Sequence, residues 1–300
     1  MGGCVAAEGS DILLVSPLNL LSVPALTLRR HGLGTSVVCG ALDPSGRVSN
    51  LRFDVYASIY TEDGRLAWRG QVGHLEPGEW RAFDVEAIAA AAGVGDGALA
   101  VLHRVPPEYG DGRLTEDCAD PGRHGFHSHL RSVIRYTDAG GRHGSVLYEI
   151  PPRFNEPRPG ARATNLTFAP MISTQPGTTT LLVILNYSTS AAYAVEARLS
   201  YRLLDAAGTS IQRGTVAVPP FGGRVVAFDG AALAAVGGPV TLLGHSEDTA
   251  LIPLFVVVRA GGGVSVEHSH PPQSYVLSSA GDRDARAIKT AAAAVLEEQL

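Results

Sequence analysis

Between Leu51 and Ile59 apolar and polar residues alternate, so Leu51, Phe53, Val55, Ala57 and Ile59 share one side of an extended chain. The same period of two returns without a gap at Val195, Ala197, Leu199, Tyr201 and Leu203. Each run leads into a turn closed by glycine, Gly64 in one case and Gly208 in the other. A period of two bounded by a turn predicts a half-buried β-strand opening a hairpin.

The correspondence extends in both directions. Gly78–Asp84 resembles Gly223–Asp229, each behind a proline-containing turn and followed by an alanine-rich stretch. Ala98–His103 pairs with Val240–His245, and Ser132–Tyr136 with Leu254–Val258. The glycine-rich turns at Ala139–Gly141 and Ala260–Gly263 open strands that end at Pro151-Pro152 and Pro271-Pro272. Ser36–Cys39 and Leu181–Leu185 are near-continuous apolar runs, the pattern of a central strand buried on both faces. About seven short strands per copy predict a β-sandwich, and the pattern resembles that of immunoglobulin-like sandwiches.

The expected fold is therefore all-β: two tandem immunoglobulin-like β-sandwich domains from an internal duplication, plus a C-terminal amphipathic helix. Copy one covers residues 10–153 and carries a long loop insertion at 106–126 that copy two lacks; copy two covers 164–278. Between them Arg153–Gly160 contains prolines that favour an extended linker. In 282–300, Ile288, Ala292, Val295 and Leu296 recur at helical spacing, with Asp282 or Asp284 as N-cap. That helix has two readings, packing on a sandwich or joining a homo-oligomer.

Composition fits this picture. In 300 residues, 35 glycines and 19 prolines supply the turns, and 45% apolar content is enough for two cores. A net charge of −5 with no basic run leaves no footprint for nucleic acid or an anionic membrane. No apolar run is long enough to span a bilayer; Leu251–Val258 is interrupted by Pro253. Met1–Ser10 reads as neither a signal peptide nor a lipoprotein signal. Three widely spaced cysteines, Cys4, Cys39 and Cys118, form no disulfide framework and point to the cytoplasm, although a mature exported form would look the same.

Candidate chemistry gathers where the two copies differ. Five of the ten histidines lie in two groups, His124/His127/His129 and His268/His270. An H-x-H pair on a strand presents both imidazoles on one face, about 7 Å apart, close enough to share a metal. His127, His129, His268 and His270, with Glu267 or a carboxylate of the insertion, form a candidate site for Zn, Fe or Cu. Glu116, Asp117 and His124 in the inserted loop are candidate ligand-binding residues, since long loops on rigid sandwiches commonly carry binding. Cys118 lies in the same polar loop, whereas Cys39 sits in a buried run and is expected to be inert. His103 and His245 occupy equivalent strand ends, which favours a structural role for both.

The chain has no G-x-S-x-G elbow, Walker loop, H-E-x-x-H or strand–helix G-x-G-x-x-G. The leading expectation is a non-enzymatic binding or assembly protein that contacts a protein or small ligand through loop 106–129 and the inter-domain groove. The alternative is a metal-binding protein or metal-dependent enzyme using the two H-x-H pairs.

Overall fold

The computed structural model describes residues 22–41, 52–105, 132–148, 165–188, 193–246 and 251–268. The first set of strands is β1 (Ser22–Leu26), β2 (Gly34–Gly40), β3 (Phe53–Tyr60), β4 (Leu66–Leu75), β5 (Trp80–Asp84), β6 (Leu99–Val105), β7 (Val133–Thr137) and β8 (His143–Leu147). The second set is β9 (Asn165–Ile172), β10 (Thr178–Asn186), β11 (Ala197–Leu204), β12 (Ser210–Val218), β13 (Gly222–Asp229), β14 (Val240–Ser246), β15 (Leu251–Arg259) and β16 (Val264–His268). Two short α-helices, α1 (Val85–Ala91) and α2 (Gly230–Leu233), follow β5 and β13. The chain is all-β in class.

The strands form four antiparallel four-stranded sheets. The order β4-β3-β6-β1 recurs as β12-β11-β14-β9, and β5-β2-β7-β8 recurs as β13-β10-β15-β16. Among the described residues each set has eight strands where about seven were expected. The additional ones are β1 and β9, whose prolines, Pro24 and Pro170, obscure the strand pattern. Both lie at sheet edges, where a missing N–H is tolerated. The same argument explains Pro253, which pairs with Ile184 of β10 one residue before β16 begins to pair at Leu254. The helices start where the sequences match: Asp84 accepts the Ala87 N–H and Asp229 the Ala231 N–H, each capping its helix.

The two sandwiches share apolar surface. Along β10, Leu182 and Ile184 join Leu199, Leu203 and Leu242 in a core between the β10 and β11 sheets. The alternate residues Leu181, Val183 and Leu185 face the other way and enter the cluster built from Leu26, Val101 and the rest of the first sandwich. The expectation of a strand buried on both faces thus holds for β10. It fails for β2, whose Ser36 and Val38 are only half-buried, because the outer face of the β2 sheet has no second sandwich on it among the described residues.

The seam between the sandwiches is built by backbone approach and an aromatic clamp. Gly144 of β8 lies where an added Cβ would stand 2.8 Å from the Val264 carbonyl of β16. The hairpin turns beside it are joined, because Arg142 donates from Nη1 to the Gly261 carbonyl (2.8 Å) and the Gly263 N–H donates to Asp138 Oδ2 (3.1 Å). In the β12–β13 turn Phe221 holds φ +57°, a left-handed conformation; by turn hydrogen bonding, though not by the ungapped sequence match, Gly78 (φ +80°) has the same place in the β4–β5 turn and adopts it without strain. The ring stacks on Tyr60 of the first sandwich at 5.2 Å and meets Tyr187 and Tyr193 edge-on. Aromatic packing across the seam offsets the backbone cost.

Among the described residues no helix is long and apolar enough to cross a membrane.

Candidate functional site

The edge strands β9 and β16 lie on the same side of the second sandwich, and a groove of about 780 Å³ opens beside them. Its floor is apolar, with Ala169, Ile172 and Phe255 buried. Ser173 and Thr180 add polar groups; the Ser173 N–H donates to Thr180 Oγ1 at 3.3 Å. Arg259 and Glu267 supply charge at its rim, and His268 borders it at the end of β16.

Local irregularity shapes this groove. Ile172 pairs with Val240 and Ala169 with Leu242, so Pro170 and Met171 together face a single residue of β14. Such a bulge turns the edge strand, and Met171 stands out 71% exposed at the groove. Proline and bulge together also blunt β9 against pairing with another strand.

Of the residues singled out by sequence, Glu267 and His268 line this groove. Glu267 pairs with Phe255 and His268 with Leu254 at the end of β16. Successive strand residues point to opposite faces. His268 shares its side with Val264 and Val266, and its ring meets Tyr148 edge-on at 6.3 Å. The remaining candidates, His124, His127, His129, His270, Glu116 and Asp117, lie outside the described residues, as do Cys4, Cys118, loop 106–126, the Arg153–Gly160 linker and the 282–300 helix. Among the described residues no three His, Cys, Asp or Glu side chains group as metal ligands. The Ser132 carbonyl accepts the Tyr148 N–H at 3.0 Å, and the Tyr148 ring in turn meets His268.

Sequence reasoning did not single out Met171, Phe255, Thr180 or Arg259. They come from three separate strands, and only the folding of both sheets brings them together.

His103 is buried within the seam, not in the groove. Its Nδ1 lies 3.1 Å from Ser22 Oγ and its Nε2 3.3 Å from Ser58 Oγ. Arg69 donates from Nε to Ser58 Oγ at 2.7 Å, and because each serine hydroxyl can donate or accept, both nitrogens of the neutral ring are partnered in either tautomer. Complete burial, reinforced by the Arg69 charge, lowers the His103 pKa to about 3. Burial likewise raises the Tyr60 and Tyr187 hydroxyls above their ordinary value. A neutral, hydrogen-bonded histidine closed off from solvent fits a structural role. His245 sits at the equivalent position, opposite Ser200 as His103 is opposite Tyr56, and is also buried. Cys39 is a buried thiol outside any disulfide among the described residues, and its Sγ accepts from Ser132 Oγ at 3.6 Å.

No family model and no curated protein matches this sequence. Among solved structures, a glycosyl hydrolase family 2 member from Bacteroides cellulosilyticus aligns at 10% identity and TM-score 0.18, over 82% of this chain and 25% of that one. An alpha-L-rhamnosidase from Streptomyces avermitilis, complexed with L-rhamnose, aligns at 11% identity and TM-score 0.21, over 85% and 26%. A structure of infectious bursal disease virus aligns at 10% identity and TM-score 0.16, over 84% and 56%. The chain spans about a quarter of the length of the two enzymes. Likeness this slight carries no argument about fold or function.

Proposed function

We propose that this chain is a non-enzymatic binding protein, made of tandem immunoglobulin-like sandwiches that arose by internal duplication, and that it takes its ligand in the groove beside β9 and β16. The domain bounds 10–153 and 164–278, the 282–300 helix and a cytoplasmic setting belong to the same reading. The observation that carries it is the groove itself: its volume of about 780 Å³ lies within the usual range for small-molecule sites, and a few polar groups surround an apolar floor. Its chemistry suits a small molecule or peptide segment with an apolar body against Phe255 and a polar end near Arg259, Glu267 or His268. Loop 106–129 would complete the contact. The test is a fragment screen read by amide chemical shifts on the intact chain. Hits should shift Met171, Phe255, Val257 and His268 together; shifts that gather elsewhere, or no hits, would sink the reading.

One observation favours a second reading, a metal site using His127, His129, His268, His270 and Glu267. His129 stands three positions before Ser132 in the sequence, a span of at most about 11 Å, and the Ser132 carbonyl accepts the N–H of Tyr148, whose ring meets His268. Metal analysis of the purified chain, alone and with His268→Ala plus His270→Ala, decides it. Stoichiometric Zn, Fe or Cu in the unmodified protein and its loss in the variant are expected. Retention of none, or equal retention by both, overturns it.

A further inference from the structure

The second sandwich docks on the first through the outer face of its β10 sheet. The first sandwich has a counterpart to that face, and the registers identify it pair by pair. Ala227, Leu181, Val256 and Val266 form one cross-strand row on β13, β10, β15 and β16. Ala82, Val38, Val133 and Leu147 form the same row on β5, β2, β7 and β8. In the second sandwich Leu181, Val256 and Val266 are buried at the seam. In the first, Val38 and Val133 are half-buried and Leu147 is 55% exposed. Trp80, in the place of Val225, covers Gly40 and is still 48% exposed.

We propose that this face, centred on Val38 and Val133 and flanked by Trp80 and Leu147, docks a second copy of the chain to form a two-fold dimer. The occupant follows from the interface already present, in which a face of this construction is covered by another sandwich. A head-to-tail chain would seat it on the counterpart of the surface used within the molecule, the outer face of the β11 sheet. That face carries Arg198, Ser200 and Arg202 on β11 and Arg213 and Thr215 on β12, a polar match for an apolar row. The same face of a second copy offers a matching apolar row among the described residues, and such pairing closes at two. Charge agrees with this. Asp84 and Arg135 flank Ser36 in the next row, and Arg135 Nε is buried without a hydrogen bond among the described residues. A two-fold axis along β2 places Asp84 of each copy over Arg135 of the other. This proposal stands apart from the groove, whose ligand test is independent of oligomeric state.

Analytical ultracentrifugation of the full chain over a concentration series tests it. A monomer–dimer equilibrium is expected, and Trp80→Glu or Leu147→Glu should weaken it by about thirtyfold or more, the effect of losing a hot-spot residue. Ile211→Glu, at an exposed apolar residue of the second sandwich, should leave it unchanged. Trp68 and Trp80 are the two tryptophans, so in a Trp68→Phe background Trp80 emission should move to the blue as dimer forms. That readout holds even if the glutamate variants fold poorly. A monomer at every concentration, a ladder of higher oligomers, a dimer indifferent to Trp80→Glu, or Trp80 emission unchanged on dimerisation overturns the proposal.

Discussion

A histidine with both ring nitrogens bonded inside a seam behaves differently from one on a surface, and His103 shows how. Its folded pKa of about 3 lies below the ordinary value of 6.5, so the unfolded chain takes up the proton first. Stability is then complete above about pH 6.5 and falls as pH drops toward 3, by about 1.4 kcal/mol per pH unit once below 6.5. Between pH 7.5 and 5.5, where ordinary carboxylates stay ionised, this one residue should remove about 1.4 kcal/mol. His31, also lowered by burial and by Arg30, acts in the same sense and is common to both proteins in the comparison. Urea unfolding of the parent and of His103→Gln at the two pH values checks the effect. Glutamine keeps a donor and an acceptor but does not titrate, so the variant's drop should be smaller by about that amount; an equal drop in both would contradict the buried neutral ring. The histidine's place at a repeated strand end was readable in the sequence. Its partners were not, because Ser22 lies on the unread strand β1 and Ser58 on a strand read for its apolar face alone.

Two glycines at matching positions separate what a turn demands from what its neighbours demand. Gly64 and Gly208 close the β3–β4 and β11–β12 hairpins at φ +84° and +81°, as the ungapped match of the two runs implied. At Gly208 an added Cβ meets nothing within 4 Å, whereas at Gly64 it collides with the Pro220 carbonyl of the other sandwich. Gly208→Ala should therefore cost about 1 kcal/mol, the left-handed penalty alone. Gly64→Ala should cost about 1–3 kcal/mol more, since the seam must shift. Equal losses in denaturant unfolding would mean that the β3–β4 turn does not bear on Pro220. The contrast also shows what a sequence can convey about elements. Alternation and turn residues reveal strands, and two matching runs reveal a repeated plan. Strands that break the pattern with Pro24 or Pro170 escape notice, and so does a contact that depends on how one repeat lies on the other. The groove is intermediate in this respect: Glu267 and His268 stood out as part of a motif, while the apolar floor they border is composed of residues that look like any other core.

At the level of the molecule, the alternate rows of β10 tie both sandwiches into one structure. Val183 and Ile184 are adjacent and wholly buried, yet the first packs into the cluster of the first sandwich and the second into the core of its own. Two domains joined only by a linker would melt separately, and only Ile184 would matter to the second. Here the second sandwich, released from the first, would expose Leu181, Val183, Leu185, Leu254 and Val256 on one sheet, an apolar face that water disfavours at about 25 cal/mol per Å². Neither half can therefore unfold without withdrawing support from the other. Scanning calorimetry should show one transition whose van't Hoff and calorimetric enthalpies agree. Val183→Ala and Ile184→Ala should both lower that transition, by about 1–2 and 2–5 kcal/mol respectively, without splitting it. Two resolved transitions, or a Val183→Ala variant as stable as the parent, would show that the sandwiches fold as separate units despite the shared cluster.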